Sequence, residues 1–148
     1  MKKMMKNRKG FTLMEMLIVA AIIAILVIIA IPTFNSALAK ARAATDVANI
    51  RSGYAAALVE AMTNGVETGT GASNTYYLQK DGSVSKDGTD KYTTQGESKN
   101  ATANTTIGGK FAVGTDISWS KDKTIAYEVA DGADGVPTVK SITAADKN

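Results

Sequence analysis

Met16 to Ile31 is a run of sixteen apolar residues without interruption. Counted from Phe11, 21 residues carry only two polar side chains, Thr12 and Glu15. A helix of that length spans about 30 Å, the thickness of the hydrocarbon core of a bilayer. Apolar on every side, it cannot be one face of a soluble domain, so it needs lipid or other copies of itself around it. Glu15 is the anomaly. A carboxylate within a membrane-length helix is expensive, so it points to a function and a partner.

Before the run stand Lys2, Lys3, Lys6, Arg8 and Lys9, with no acid among them. The formal net charge of +3 depends on this leader. Without residues 1–10 the chain keeps 17 − 5 = 12 basic and 14 acidic side chains, a net of −2. The basicity therefore speaks for membrane topology, with the leader held in the cytoplasm, and not for a nucleic-acid site. The length fits one domain plus a membrane segment. Cysteine and histidine are both absent. No disulfide or thiolate chemistry is possible, and the commonest general base and metal ligand are missing.

Beyond the apolar run, Pro32 removes a backbone donor and is expected to bend or locally break the helix. Helical pattern resumes at Ser36. Val47, Ile50, Tyr54, Leu58 and Ala61 recur every three or four residues, one stripe of an amphipathic helix. Lys40, Arg42, Asp46, Arg51 and Glu60 are placed mostly off that stripe. Asn64-Gly65 supplies a stop. The whole element is expected to be one helix of roughly 50 residues, apolar all round at first and on one face afterwards.

The rest reads as β-rich. Ile125, Tyr127 and Val129 alternate with Ala126 and Glu128, as in a half-buried strand. Ile117 and Trp119 alternate likewise, and Ser120 to Lys123 suits a hairpin turn. Further strands are expected at Tyr76–Leu78, at Phe111 and Val113, and over Val136–Ile142. Asp81 to Thr106 is polar, rich in Gly, Ser, Thr and Asn, and is expected to be a long exposed loop. The fold class is therefore α+β: a long bent N-terminal helix packed on a small antiparallel sheet. A head of about 85 residues buries only a modest core, so the helix stripe matters to its stability.

The junction Lys9-Gly10-Phe11-Thr12-Leu13-Met14-Glu15, followed by the apolar helix and by Pro32, resembles the N-terminus of type IV prepilins and the related pseudopilins. Met14 and Met16 stand where Ile, Val or Leu is more usual, with the apolar character kept. The resemblance covers residues 1–64. It implies a leader, residues 1–10, removed by a prepilin peptidase that cuts between Gly10 and Phe11 and methylates the new Phe11 amine. It implies a transmembrane and assembly helix over residues 11–35, an amphipathic helix over 36–64 and a β-rich head over 65–148. It further implies a homopolymeric filament with minor pilins, a membrane assembly platform, and a bilayer that holds the subunit beforehand. The subunit would move from a single-pass form in the cytoplasmic membrane to an extracellular pilus. Many relatives tie their C-terminal region with a disulfide; this chain departs from them.

The residues themselves suit such chemistry. Gly10 lets a protease approach the backbone closely. Cleavage there frees an amine on Phe11, and Glu15 lies one helical turn away. In lipid each charge is a liability, and paired they compensate. Pairing between chains would set the stagger of neighbours and build a helical filament from one repeated contact. Pro32 is the expected bend.

Other readings compete. Ala37-Leu38-Ala39 could close an ordinary secretory signal, cut after Ala39. Against it, Glu15 would sit at the start of the apolar region, and helical pattern continues past Ala39. A plain uncleaved anchor is a third reading, with Glu15 at headgroup level. Ala20, Ala21, Ala24 and Ala30 would allow close helix packing. Asp81 to Asp87 offers oxygens at alternate positions, but lacks the terminal Glu and the spacing of a calcium loop. Asp131 and Asp134 flank a Gly-rich turn. Asn100 and Asn104 match the N-glycosylation pattern. No motif for catalysis is present, and no metal or other cofactor is expected. The function classes left are a filament subunit, a pseudopilin of a secretion or DNA-uptake machine, and a membrane-tethered binding module or tip adhesin.

Overall fold

The computed structural model describes residues 10–67 and 72–147. One helix, α1, covers Leu13–Asn64, 52 residues. Six strands follow: β1 Asn74–Leu78, β2 Val84–Ser85, β3 Thr106–Ile107, β4 Phe111–Ala112, β5 Lys123–Asp131 and β6 Pro137–Asp146. β2, β1, β5 and β6 form, in that order, a four-stranded antiparallel sheet, and β3 pairs with β4 alone. A 3-10 turn spans Ser98–Asn100. The chain divides after Ala37 into two compact units.

The first unit holds the apolar part of α1, with its side chains exposed from Leu13 to Phe34. Pro32 does not interrupt the helix, although its nitrogen cannot donate to Ile28. The next residue, Thr33, places its hydroxyl on the Ile29 carbonyl at 3.2 Å.

In the second unit α1 packs on the sheet as an α+β head. Val47, Ile50, Ala57 and Ala61 share one core with Tyr76 and Leu78 of β1, Ile125, Tyr127 and Val129 of β5, and Val139 and Ile142 of β6. The expected stripe is present, with Tyr54 and Leu58 at its partly buried edge. α1 ends as expected at Asn64, and Gly65 follows at φ 73°, the left-handed conformation that closes helices. At Gly53 the sheet approaches the helix closely. A Cβ there would lie 2.4 Å from the Tyr127 hydroxyl and 2.8 Å from Leu78 Cδ1. That hydroxyl donates to the Ile50 carbonyl at 2.8 Å, tying the sheet to the helix backbone.

β6 buries Val139 and Ile142, three residues apart, although a regular strand turns alternate residues inward. A bulge explains it. Glu128 pairs with Ser141 but Val129 with Val139, so Lys140 is the extra residue and the parity changes there. β6 also runs past the expected Ile142 to Asp146, because Lys123 to Ala126 continue the ladder.

Two expectations fail. Ile117 and Trp119 do not form a strand hairpinned to β5. Ile117 makes one isolated bridge to Val113, and Trp119 exchanges backbone and hydroxyl hydrogen bonds with Ser98. Both are buried, but on a loop and not a strand, which produces the same apolar alternation. Nor is Asp81–Thr106 a free exposed loop. It contains β2, bridges at Lys91 and Thr93, and the buried residues Thr94 and Gly96. Polar side chains can be buried when their hydrogen bonds are met, and hydropathy patterns do not reveal this.

Candidate functional site at the helix N-terminus

Gly10 and Phe11 precede the helix as exposed chain outside any helix or strand. Thr12 is its cap. The Glu15 amide donates to Thr12 Oγ1 at 3.2 Å, and Glu15 Oε2 receives the Thr12 amide at 2.8 Å and the Thr12 hydroxyl at 2.9 Å. This is a capping box, Thr-x-x-Glu, which satisfies donors that the first helical turn leaves open. The first intrahelical bond, from the Met16 amide to the Thr12 carbonyl, follows at 3.3 Å. Both hydrogen bonds to the carboxylate converge on Oε2. Among the described residues its second oxygen receives no hydrogen bond.

The structure thus brings Thr12 and Glu15 together one turn from the Gly10–Phe11 bond. The Thr-x-x-Glu spacing is the local signal for this role of Thr12. Pro32 lies 17 positions beyond Glu15, outside this cluster. α1 is long and apolar enough to cross a membrane, and its most apolar 18-residue stretch is not buried in the fold.

A second constellation was misplaced by sequence reasoning. Asp46 is not off the buried stripe but within it, fully buried. Its Oδ1 accepts the Tyr92 hydroxyl at 2.7 Å and the Gln95 amide at 2.8 Å. Its Oδ2 accepts the Gly96 amide at 2.7 Å and the Trp119 indole N–H at 3.2 Å. Four donors compensate the desolvated carboxylate. They come from residues 92–96 and 119, so one side chain of α1 fastens the polar segment to the helix. Gly96 fits because a Cβ there would lie 2.7 Å from the Ala43 nitrogen. Arg51 fastens the β3–β4 hairpin similarly, donating from Nε and Nη2 to the Thr106 carbonyl at 3.1 and 2.9 Å.

The calcium reading finds no support here. The Asp81 carboxylate accepts the Ser83 hydroxyl and amide at 2.7 and 2.9 Å, which lower its pKa and make it a turn cap. Among the described residues no three acidic side chains converge as metal ligands.

Residues 5–31 match the family model of the prokaryotic N-terminal methylation motif. Residues 5–9 of that match lie outside the described residues. No solved structure matches the chain. The matched motif is the prepilin signature of the type IV pilins and pseudopilins, which are structural proteins and not enzymes. Over residues 5–31 the chain is thus similar to the type IV pilins and pseudopilins, and its long apolar helix packed on a small antiparallel sheet is a pilin-like architecture.

Proposed function

We propose that this chain is the structural subunit of a type IV pilus. It is made as a membrane-anchored prepilin with its leader in the cytoplasm. Prepilin peptidase cuts between Gly10 and Phe11 and methylates the Phe11 amine. The mature subunit then leaves the bilayer at an assembly platform and polymerises through residues 11–35, displaying its head outside the cell. Pro32, which leaves the Ile28 carbonyl without its helical donor, is the point at which the helix bends.

The observation that carries this reading is the state of Glu15. Its Oε2 is engaged by Thr12, while Oε1, without a hydrogen bond among the described residues, is left to receive the Phe11 ammonium of a neighbour. The capping box holds the carboxylate in place before the partner arrives, so less is lost in ordering it on contact. The surrounding side chains are exposed and apolar, so neighbouring helices can cover them and leave this pair desolvated.

The N-terminal mass of the protein in material sheared from cells tests the reading. A start at N-methylated Phe11 in a fibre is the expected result. A soluble form starting at Lys40, or retention of Met1 in the membrane, would overturn it. Short, envelope-confined fibres would assign the subunit to a pseudopilus instead.

A further inference from the structure

We propose that a basic groove on the head docks the phosphates of an anionic lipid surface while the unassembled subunit is anchored. The inference rests on the membrane-anchored precursor proposed above. The groove, about 320 Å³, lies where Ala39 and Arg42 of α1 meet residues 95–100 and Lys121. Three cations reach it from separate parts of the chain: Arg42 from α1, Lys99 from the 3-10 turn, Lys121 from the turn before β5. Glu97 is the one acid lining it, and it is 2.6 Å from Lys99. Lys121 lies only loosely against Asp122, at 3.8 Å. Among the described residues, Arg42 has no ion pair or side-chain hydrogen bond.

These cations stand on a fixed floor. Gln95 and Gly96 are held by Asp46, and Ser98 by Trp119. A planar guanidinium suits the two oxygens of a phosphate. The processed chain has a net charge of −2, so this positive concavity runs against the charge of the whole.

The choice of lipid over a free anion comes from the tether. Arg42 follows Ile31, the end of the apolar run, by eleven residues, a reach of at most about 40 Å. With the run in a bilayer, headgroups are presented to the groove at high effective concentration. Basic side chains beside a membrane segment are drawn to anionic lipid, and Lys40 adds another.

Full-length protein in vesicles of phosphatidylcholine, with or without phosphatidylglycerol, tests this at a high lipid-to-protein ratio. A membrane-permeant amine reagent labels the lysines, and mass spectrometry reads the rates. Lys99 and Lys121, whose side chains are 76% and 59% exposed, should label roughly fivefold more slowly with phosphatidylglycerol. Lys86 and Lys140, outside the groove, should be unchanged. Arg42→Gln should remove most of the protection at unchanged thermal unfolding. Equal rates in both vesicles overturn the proposal. Protection by inorganic phosphate but not by phosphatidylglycerol overturns it in favour of a soluble anion. Protection that grows with protein density in neutral vesicles overturns it in favour of a contact between copies. Carbonate extraction of the same vesicles reads anchoring separately: protein that washes off overturns the anchored precursor itself.

Discussion

The indole N–H of Trp119 donates to the carboxylate of Asp46 at 3.2 Å, across 73 positions of sequence. Both residues are buried, and the bond joins the loop before β5 to α1. Removing the acceptor leaves the buried donors of Gly96 and Trp119, and the part-buried ones of Tyr92 and Gln95, without this partner. Each such donor costs about 1–3 kcal/mol. Asp46→Ala should destabilise the head by about 3 kcal/mol or more, measured by denaturant unfolding. Trypsin should then cut faster at Lys91 and Lys99. An unchanged midpoint with unchanged cleavage would mean that the polar segment is held by other contacts.

Gly53 makes a prediction whose sign is set by packing. In an exposed helix, Gly→Ala gains about 1 kcal/mol. Here the added methyl meets Tyr127 and Leu78 well inside contact distance. Overpacking of this kind costs about 1–3 kcal/mol. Gly53→Ala should therefore lower the thermal midpoint and weaken the bond from Tyr127 to Ile50. A raised midpoint would show that the sheet can retreat from the helix at no cost.

Alkaline pH should unfold the head through its tyrosines. Burial, and next the hydrogen bond to Asp46, push the Tyr92 pKa up to about 12. Burial raises Tyr127 as well. Tyrosine ionises near pH 10 in an unfolded chain, so the folded state keeps protons that the unfolded state releases. This contribution is complete below about pH 10 and is lost as the pH rises towards 12. Tyr92→Phe should flatten the decline in stability over that window. The same slope in wild type and variant would remove Tyr92 from the effect.

Glu15 separates two roles by substitution. Glu15→Ala removes both the cap and the charge, so the protein should stay in the membrane while sheared fibre falls at least tenfold, the factor that about 1.4 kcal/mol of lost contact corresponds to. Glu15→Gln keeps an oxygen for Thr12 but loses the charge. If registration needs the charge, Gln should fail like Ala, judged by the quantity of sheared fibre. Normal fibre from Gln would reduce Glu15 to a helix cap.

Much of the architecture was legible in the order of residues. The all-apolar run, the stripe from Val47 to Ala61, the Asn64-Gly65 stop and the Ile125–Val129 alternation are local signals. Each reports an element whose own face must be covered. Glu15 stood out for the same reason, as one charge in an apolar context. The bulge at Lys140 escaped notice because it appears only when β6 is laid against β5.

Asp46 marks where local reading ends. In sequence it is one more charged residue on an amphipathic helix, assigned to solvent by its type. Its burial depends on donors brought from residues 92–96 and 119, which no window around position 46 contains. The polar run 81–106 was misread by the same logic, since a buried hydrogen bond carries no periodicity. The sequence alone determined the apolar N-terminal helix, its junction with the basic segment before it and the presence of a β-rich head, because hydropathy and spacing act over a few residues. Only the tertiary structure decided which polar groups went inside and how Trp119 met the helix, because a buried carboxylate is affordable only where distant donors converge on it.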